Sequence, residues 1–108
     1  MSELAETLRA YLLQFARAGT PINYGKFASD NGFNWFDDKH VLSAALAEIV
    51  EYDHAHGLPL LSSLVIKLDG DIGSGFWYKV HQVGIPVVDK LKFLVNEWNR
   101  VHAHYRAE

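Results

Sequence analysis

The chain is 108 residues long, enough for one domain, and its 49% hydrophobic and 21% charged content excludes a disordered tail. It contains no cysteine, which excludes a disulfide scaffold, a thiolate zinc site and a cysteine nucleophile. Ten Lys and Arg oppose thirteen Asp and Glu for a net charge of -3, and no window gathers three basic residues, so the concentrated positive field of a non-specific nucleic-acid binder is missing from the sequence.

Residues 3–18 read as a helix. Leu4, Leu8, Tyr11, Leu12 and Phe15 form its apolar stripe, Ser2 is placed to cap it, and Gly19 to end it. Thr20-Pro21 opens a new segment. Residues 23–31 read as a short helix capped by Asn23 and stopped at Asn31-Gly32. A third helix spans 37–56, with Asp37 and Asp38 at its start and Gly57 and Pro59 at its end. Residues 60–68 (LLSSLVIKL) read as a strand bounded by Pro59 and Asp69-Gly70. After a glycine-rich loop (69–75), residues 76–83 pair back as a second strand or form a short helix, since eight residues do not separate the two periods. Gly84 and Pro86 precede the clearest amphipathic helix, 87–105, striped by Val87, Leu91, Leu94, Trp98, Val101 and Tyr105. That stripe closes the core or pairs two copies into a homodimer. The expected fold is a single α+β domain over residues 1–108. It has three helices, a short β-hairpin or small sheet, and a closing C-terminal helix.

Three segments carry a family likeness. Tyr24-Gly25-Lys26-Phe27-Ala28 is followed by His40-Val41-Leu42-Ser43-Ala44-Ala45-Leu46. Pro59-Leu60-Leu61-Ser62-Ser63-Leu64-Val65 and the Asp69-Gly70 turn come next. In order and spacing, residues 20–76 resemble the DNA-binding domain of the alkylguanine-DNA alkyltransferase and alkyltransferase-like family. The order is also similar to small bacterial proteins with Gly-Leu-Pro-Leu-Leu before an apolar strand. The resemblance implies a winged-helix-like frame. It implies no alkyl transfer, because Leu60 stands at the alkyl-accepting cysteine, and Leu61 and Ser62 replace the following His and Arg. His40 stands at the arginine that the family inserts in place of a flipped base.

The residue chemistry is sparse. His54-Ala55-His56 and His102-Ala103-His104 offer four imidazoles, with Glu51 and Asp53 as further ligands, for a metal-dependent enzyme. Residues two apart on a helix point to nearly opposite sides, however, so no metal or other cofactor is expected. The Gly70, Gly73 and Gly75 loop lacks the GxGxxG and Walker patterns, and Asp69 and Asp71 oppose a phosphate there. Ser62 and Ser63 have no local base, and no nucleophile elbow occurs.

The leading expectation is therefore a non-enzymatic protein-binding module, an inhibitor, immunity or regulatory factor of bacterial or phage type. Its contacts would be Trp35, Trp77 and Tyr78 within an acidic rim of Asp37, Asp38, Asp69 and Asp71. The alternative is DNA binding. The helix from His40 to Leu46 would then lie in a groove, with Ser43 and Ala44 permitting close approach. Tyr24, Lys26, Lys39, Lys67 and Lys79 would make the remaining contacts. A cytoplasmic location is expected, without a membrane. No run reaches the roughly 20 apolar residues of a span, and MSELAETLRA lacks the basic start of a signal peptide.

Overall fold

The computed structural model describes residues 1–108. Helix α1 spans Glu3–Ala18, β1 Ile22–Asn23, α2 Tyr24–Asp30 and α3 Trp35–Ala55. A 3-10 turn over Leu61–Leu64 leads into β2, Val65–Ile66, followed by α4, Ser74–Gln82, and α5, Lys90–Tyr105. β1 and β2 pair in parallel, with Ile22 opposite Val65 and Asn23 opposite Ile66. The small sheet is therefore present and the hairpin is not. No helix is long and apolar enough to cross a membrane.

The first two helices form as their local signals dictate. Ser2 Oγ accepts the Ala5 N–H at 3.2 Å, and Gly19 ends α1 in the left-handed region at φ 70°. Asn23 Oδ1 accepts the Lys26 N–H at 2.9 Å and starts α2. α3 begins two residues before the expected start. Asn34 Oδ1 accepts the Phe36 and Asp37 amides, and Asp38 returns a bond from the Asn34 N–H at 2.9 Å. α5 begins at Lys90 because Asp89 accepts the Lys92 N–H at 3.0 Å. Val87 stays in the connector.

The segment 60–68 departs most from expectation. A half-buried strand alternates, but Pro59 through Val65 are all buried. Ser63 turns back on Leu60, its N–H and Oγ both donating to the Leu60 carbonyl at 3.1 and 2.7 Å. Those bonds make a 3-10 turn of Leu61–Leu64 and leave only Val65–Ile66 as strand. Residues 76–83 take the helical alternative. Val80 is buried while Tyr78 is 70% exposed, which a strand holding both on one face would not permit.

The main core joins α1, α2, α3 and α5 around the 3-10 turn, with Leu8, Leu12, Phe27, Leu42, Ile49, Leu61 and Leu64 fully buried or nearly so. A smaller cluster of Val50, Leu60 and Val80 seats α4 with Phe76, Ile85 and Phe93. Two buried carboxylates tie these clusters together. Glu97 Oε2 accepts the Leu60 N–H at 3.0 Å, and Asp53 Oδ2 accepts the Leu61 N–H at 3.1 Å. Asp53 Oδ1 also accepts Arg9 Nε and Nη2 at 2.9 and 2.7 Å. Arg9 donates as well to Tyr105 and lies 4.9 Å from the Tyr52 ring centroid. Burial pushes the Asp53 carboxyl up, against the pull of the Arg9 and Leu61 donors. The Glu97 side of α5 is thus turned inward, and Leu91, expected in the apolar stripe, is 69% exposed.

Asp53→Ala leaves the Arg9 charge and the Leu61 amide without their acceptor. A loss of about 3 kcal/mol in unfolding free energy is expected from urea titration, the scale for breaking a buried pair. At the surface, the Tyr11 hydroxyl donates to Asp30 at 2.5 Å and Lys26 pairs with the same carboxylate at 3.0 Å. Together they hold Asp30 below its usual pKa, the Tyr11 bond being the larger cause. Its stabilising contribution is therefore present above the ordinary carboxylate range and fades as pH falls through the depressed value. In Tyr11→Phe, NMR titration should find the Asp30 pKa moved up toward the ordinary value.

Candidate functional site

One cleft of 390 Å³ opens between α3, the β2–α4 connection and the start of α4. α3 supplies its first wall by helical spacing, with Trp35, Lys39, Ser43, Leu46 and Val50 recurring along one face. Ser62 and Val65 line it from the buried central segment, and Lys67 follows them at the rim. Ile72 through Phe76 make the opposite wall, where α4 begins.

Tyr24 fixes the mouth. Its ring stacks on Trp35 at a centroid distance of 4.2 Å and an interplanar angle of 11°. Its hydroxyl accepts the Gly73 N–H at 2.8 Å, which ties the start of α2 to the start of α4. Burial pushes the Tyr24 phenol up, so the hydroxyl is neutral. A Cβ at Gly73 would lie 2.6 Å from the Tyr24 oxygen, so any larger residue there has to displace the Tyr24 hydroxyl. As the N-cap of α4, Gly73 offers no side-chain oxygen, so the positive end of that helix faces the cleft without a carboxylate cap.

The cleft gathers part of each expected residue set. Tyr24, Lys39, Ser43 and Lys67 of the DNA set line it together. Neither Lys39 nor Lys67 pairs with a carboxylate, whereas Lys26 is engaged by Asp30 and Lys79 by Glu51 and Gln82. His40 and Ala44 lie exposed on α3 outside the lining.

Of the protein-binding set, Trp35 belongs to the cleft, and Trp77 is elsewhere. Trp77 lies between Phe76 and Phe93 at 5.1 and 5.7 Å, with the Lys90 ammonium 5.4 Å from its ring centroid. Tyr78 projects into solvent. Three of the four acids serve local backbone. Asp38 caps α3, Asp69 accepts the Asp71 N–H, and Asp71 accepts the Ile72 N–H. Asp37 is exposed in the first turn of α3.

The histidine triplets do not converge. His56 stacks on Tyr52, His102 sits over Gly19, and His104 meets Tyr105 edge-on. Asp53 is bound to Arg9 and Glu51 to Lys79, and no group of three or more ligating side chains is placed to hold a metal ion. Sequence reasoning missed Ser62, Ile72, Ser74 and Phe76 as cleft residues. The one available signal was a glycine-bounded helix start at Gly73-Ser74-Gly75, which becomes informative only once 76–83 is helical.

Gly73→Ala should destabilise the protein by about 1–3 kcal/mol through overpacking against the Tyr24 hydroxyl. In a Tyr24→Phe background the same change should cost less, and a double-mutant cycle of thermal unfolding measures the difference.

Comparison with protein-family models, curated proteins and solved structures gave no match to this chain.

Proposed function

We propose that the protein binds nucleic acid through α3 and the cleft beside it, and that it does so without a covalent step. The observation that carries this reading is that two lysines without carboxylate partners, Lys39 and Lys67, line one cleft. Phosphate oxygens are natural partners for such lysines. The Tyr24–Trp35 stack offers an aromatic wall suited to a base or sugar.

The resemblance of residues 20–76 to the alkyltransferase-like DNA-binding domain supports the same reading. A winged-helix-like frame is part of it, with α2 and α3 as the helix pair and the β2–α4 connection in the place of the wing. Alkyl transfer is not part of it. Leu60, at the position of the reactive cysteine, is 2% exposed and lies outside the cleft. A net charge of -3 is compatible with a local contact and with weak non-specific affinity.

A protein partner, as for an inhibitor, immunity or regulatory factor, is the second reading. It is favoured by exposed apolar side chains at the start of α5, Leu91 and Val95 on the helix and Val88 just before its cap.

Fluorescence anisotropy with a labelled duplex over a range of salt concentrations tests the first reading. Binding should weaken as salt rises. Lys39→Ala and Lys67→Ala should each lower the slope of log affinity against log salt by about 1, as for one lost phosphate contact. Lys26→Ala and Lys79→Ala, whose ammonium groups are already engaged, should leave the slope unchanged. Absence of binding, or a slope indifferent to Lys39 and Lys67, overturns the reading.

A further inference from the structure

We infer that the start of α5, with the connector before it, pairs with the same surface of a second copy of the chain in a weak two-fold dimer. None of the residues involved lines the cleft, so the inference is independent of the nucleic-acid reading.

The surface follows from how the chain enters α5. The Ile85 N–H donates to the Val80 carbonyl at 3.1 Å, and Asp89 caps α5 by accepting the Lys92 N–H at 3.0 Å. Between these fixed points the side chains alternate. Ile85 and Val87 pack against the smaller hydrophobic cluster, whereas Pro86 and Val88 face water. Val88 is fully exposed, Leu91 is 69% exposed three residues on, and Val95 follows four residues later, also exposed. The rest of the expected α5 stripe is used inside. Leu94, Val101 and Tyr105 are buried, and Trp98 packs on the main core.

A hollow of 260 Å³ lies beside this ridge, with Trp77 and His81 of α4, residues 85–88 and Lys90 as its lining. Val88 is therefore both part of the rim and the most exposed large apolar side chain of the molecule. A projecting apolar residue next to an apolar hollow is the shape that a two-fold axis requires. Rotation about an axis between them brings Val88 of each copy to the hollow of the other, so one patch serves both sides. Charge points the same way. The patch carries both signs, Asp89 with Lys90 and Lys92, so a copy can answer its charges. A strongly acidic or strongly basic partner would meet a group of its own sign, and a bilayer or a nucleic acid would meet the Asp89 carboxylate directly after Val88. The size of the patch sets the strength. Seven residues line the hollow and four line the depression at Leu91 and Val95, against roughly 20–30 residues a side in a stable complex. The dimer is therefore reversible and forms only at high concentration.

Sedimentation velocity of the whole protein from about 10 μM to about 1 mM tests this. The sedimentation coefficient should rise from the monomer value toward that of a dimer. Val88→Asp and Leu91→Asp should each keep the chain monomeric over the same range, because each places a charge in the apolar contact. Both side chains are exposed, so the urea midpoint at low concentration should stay at the native value. Leu68→Ser removes an exposed apolar side chain outside the patch and should dimerise like the native chain. In a mixture of isotope-labelled and unlabelled protein, filtered NMR should show contacts from the Val88 methyls to the Trp77 ring of the other copy.

A monomer at every concentration overturns the inference, as does a dimer that survives both aspartate variants or one that lacks the Val88–Trp77 contacts between copies. Duplex binding enters none of these outcomes, so the nucleic-acid reading stands or falls by its own titration.

Discussion

Two consecutive backbone amides, those of Leu60 and Leu61, enter the interior with no helix or sheet to receive them. The carboxylates of Glu97 and Asp53 accept them from two different helices. A buried amide without an acceptor costs about as much as a lost hydrogen bond, so this arrangement decides where the central segment can run. The charges that do this are answered in turn. Arg9 on α1 binds Asp53, and Arg100 on α5 binds Glu97. Three helices are thereby fixed about one turn. No buried side-chain polar atom is left without a partner.

The cleft inherits its shape from that anchor. With Leu60 and Leu61 held, Ser62 bonds the Leu46 carbonyl of α3 at 2.8 Å. Trp98 of α5 reaches the Ser63 carbonyl at 2.7 Å. The chain emerges as β2 against Ile22 and Asn23, which brings Lys67 to the rim near the start of α2. The Tyr24–Gly73 bond then sets the opposite wall. Ser62 and Val65 of the cleft are thus carried by a backbone that core contacts fix.

Charge is distributed unevenly between structure and surface. Asp53 and Glu97 serve the core, Asp38, Asp69 and Asp71 serve local backbone, and Asp30 and Glu51 engage Lys26 and Lys79. Bonds to backbone amides leave the carboxylate charges in place, and once the five ion pairs are set aside eight acids still face five bases, so the surface keeps the formal excess of three acids. Lys39 and Lys67 line the cleft without carboxylate partners.

The amino-acid sequence by itself determined the elements whose signals are local. α1 with its Ser2 cap and Gly19 stop, α2 with its Asn23 cap, and the existence of the two long helices α3 and α5 all follow from caps and from 3.6-residue periodicity, which act within a few turns. It also pointed to Tyr24, Lys39, Ser43 and Lys67, although not to their meeting in one cleft. Only the tertiary structure decided the course of 60–66, the helical state of 76–83 and the burial of Glu97 beside the expected stripe of Leu94, Trp98, Val101 and Tyr105 on α5. The physical reason is separation along the chain. Leu60 finds Glu97 37 residues away and Arg9 finds Asp53 44 residues away. A carboxylate reads as a surface residue until folding brings it the donors that make its burial tolerable.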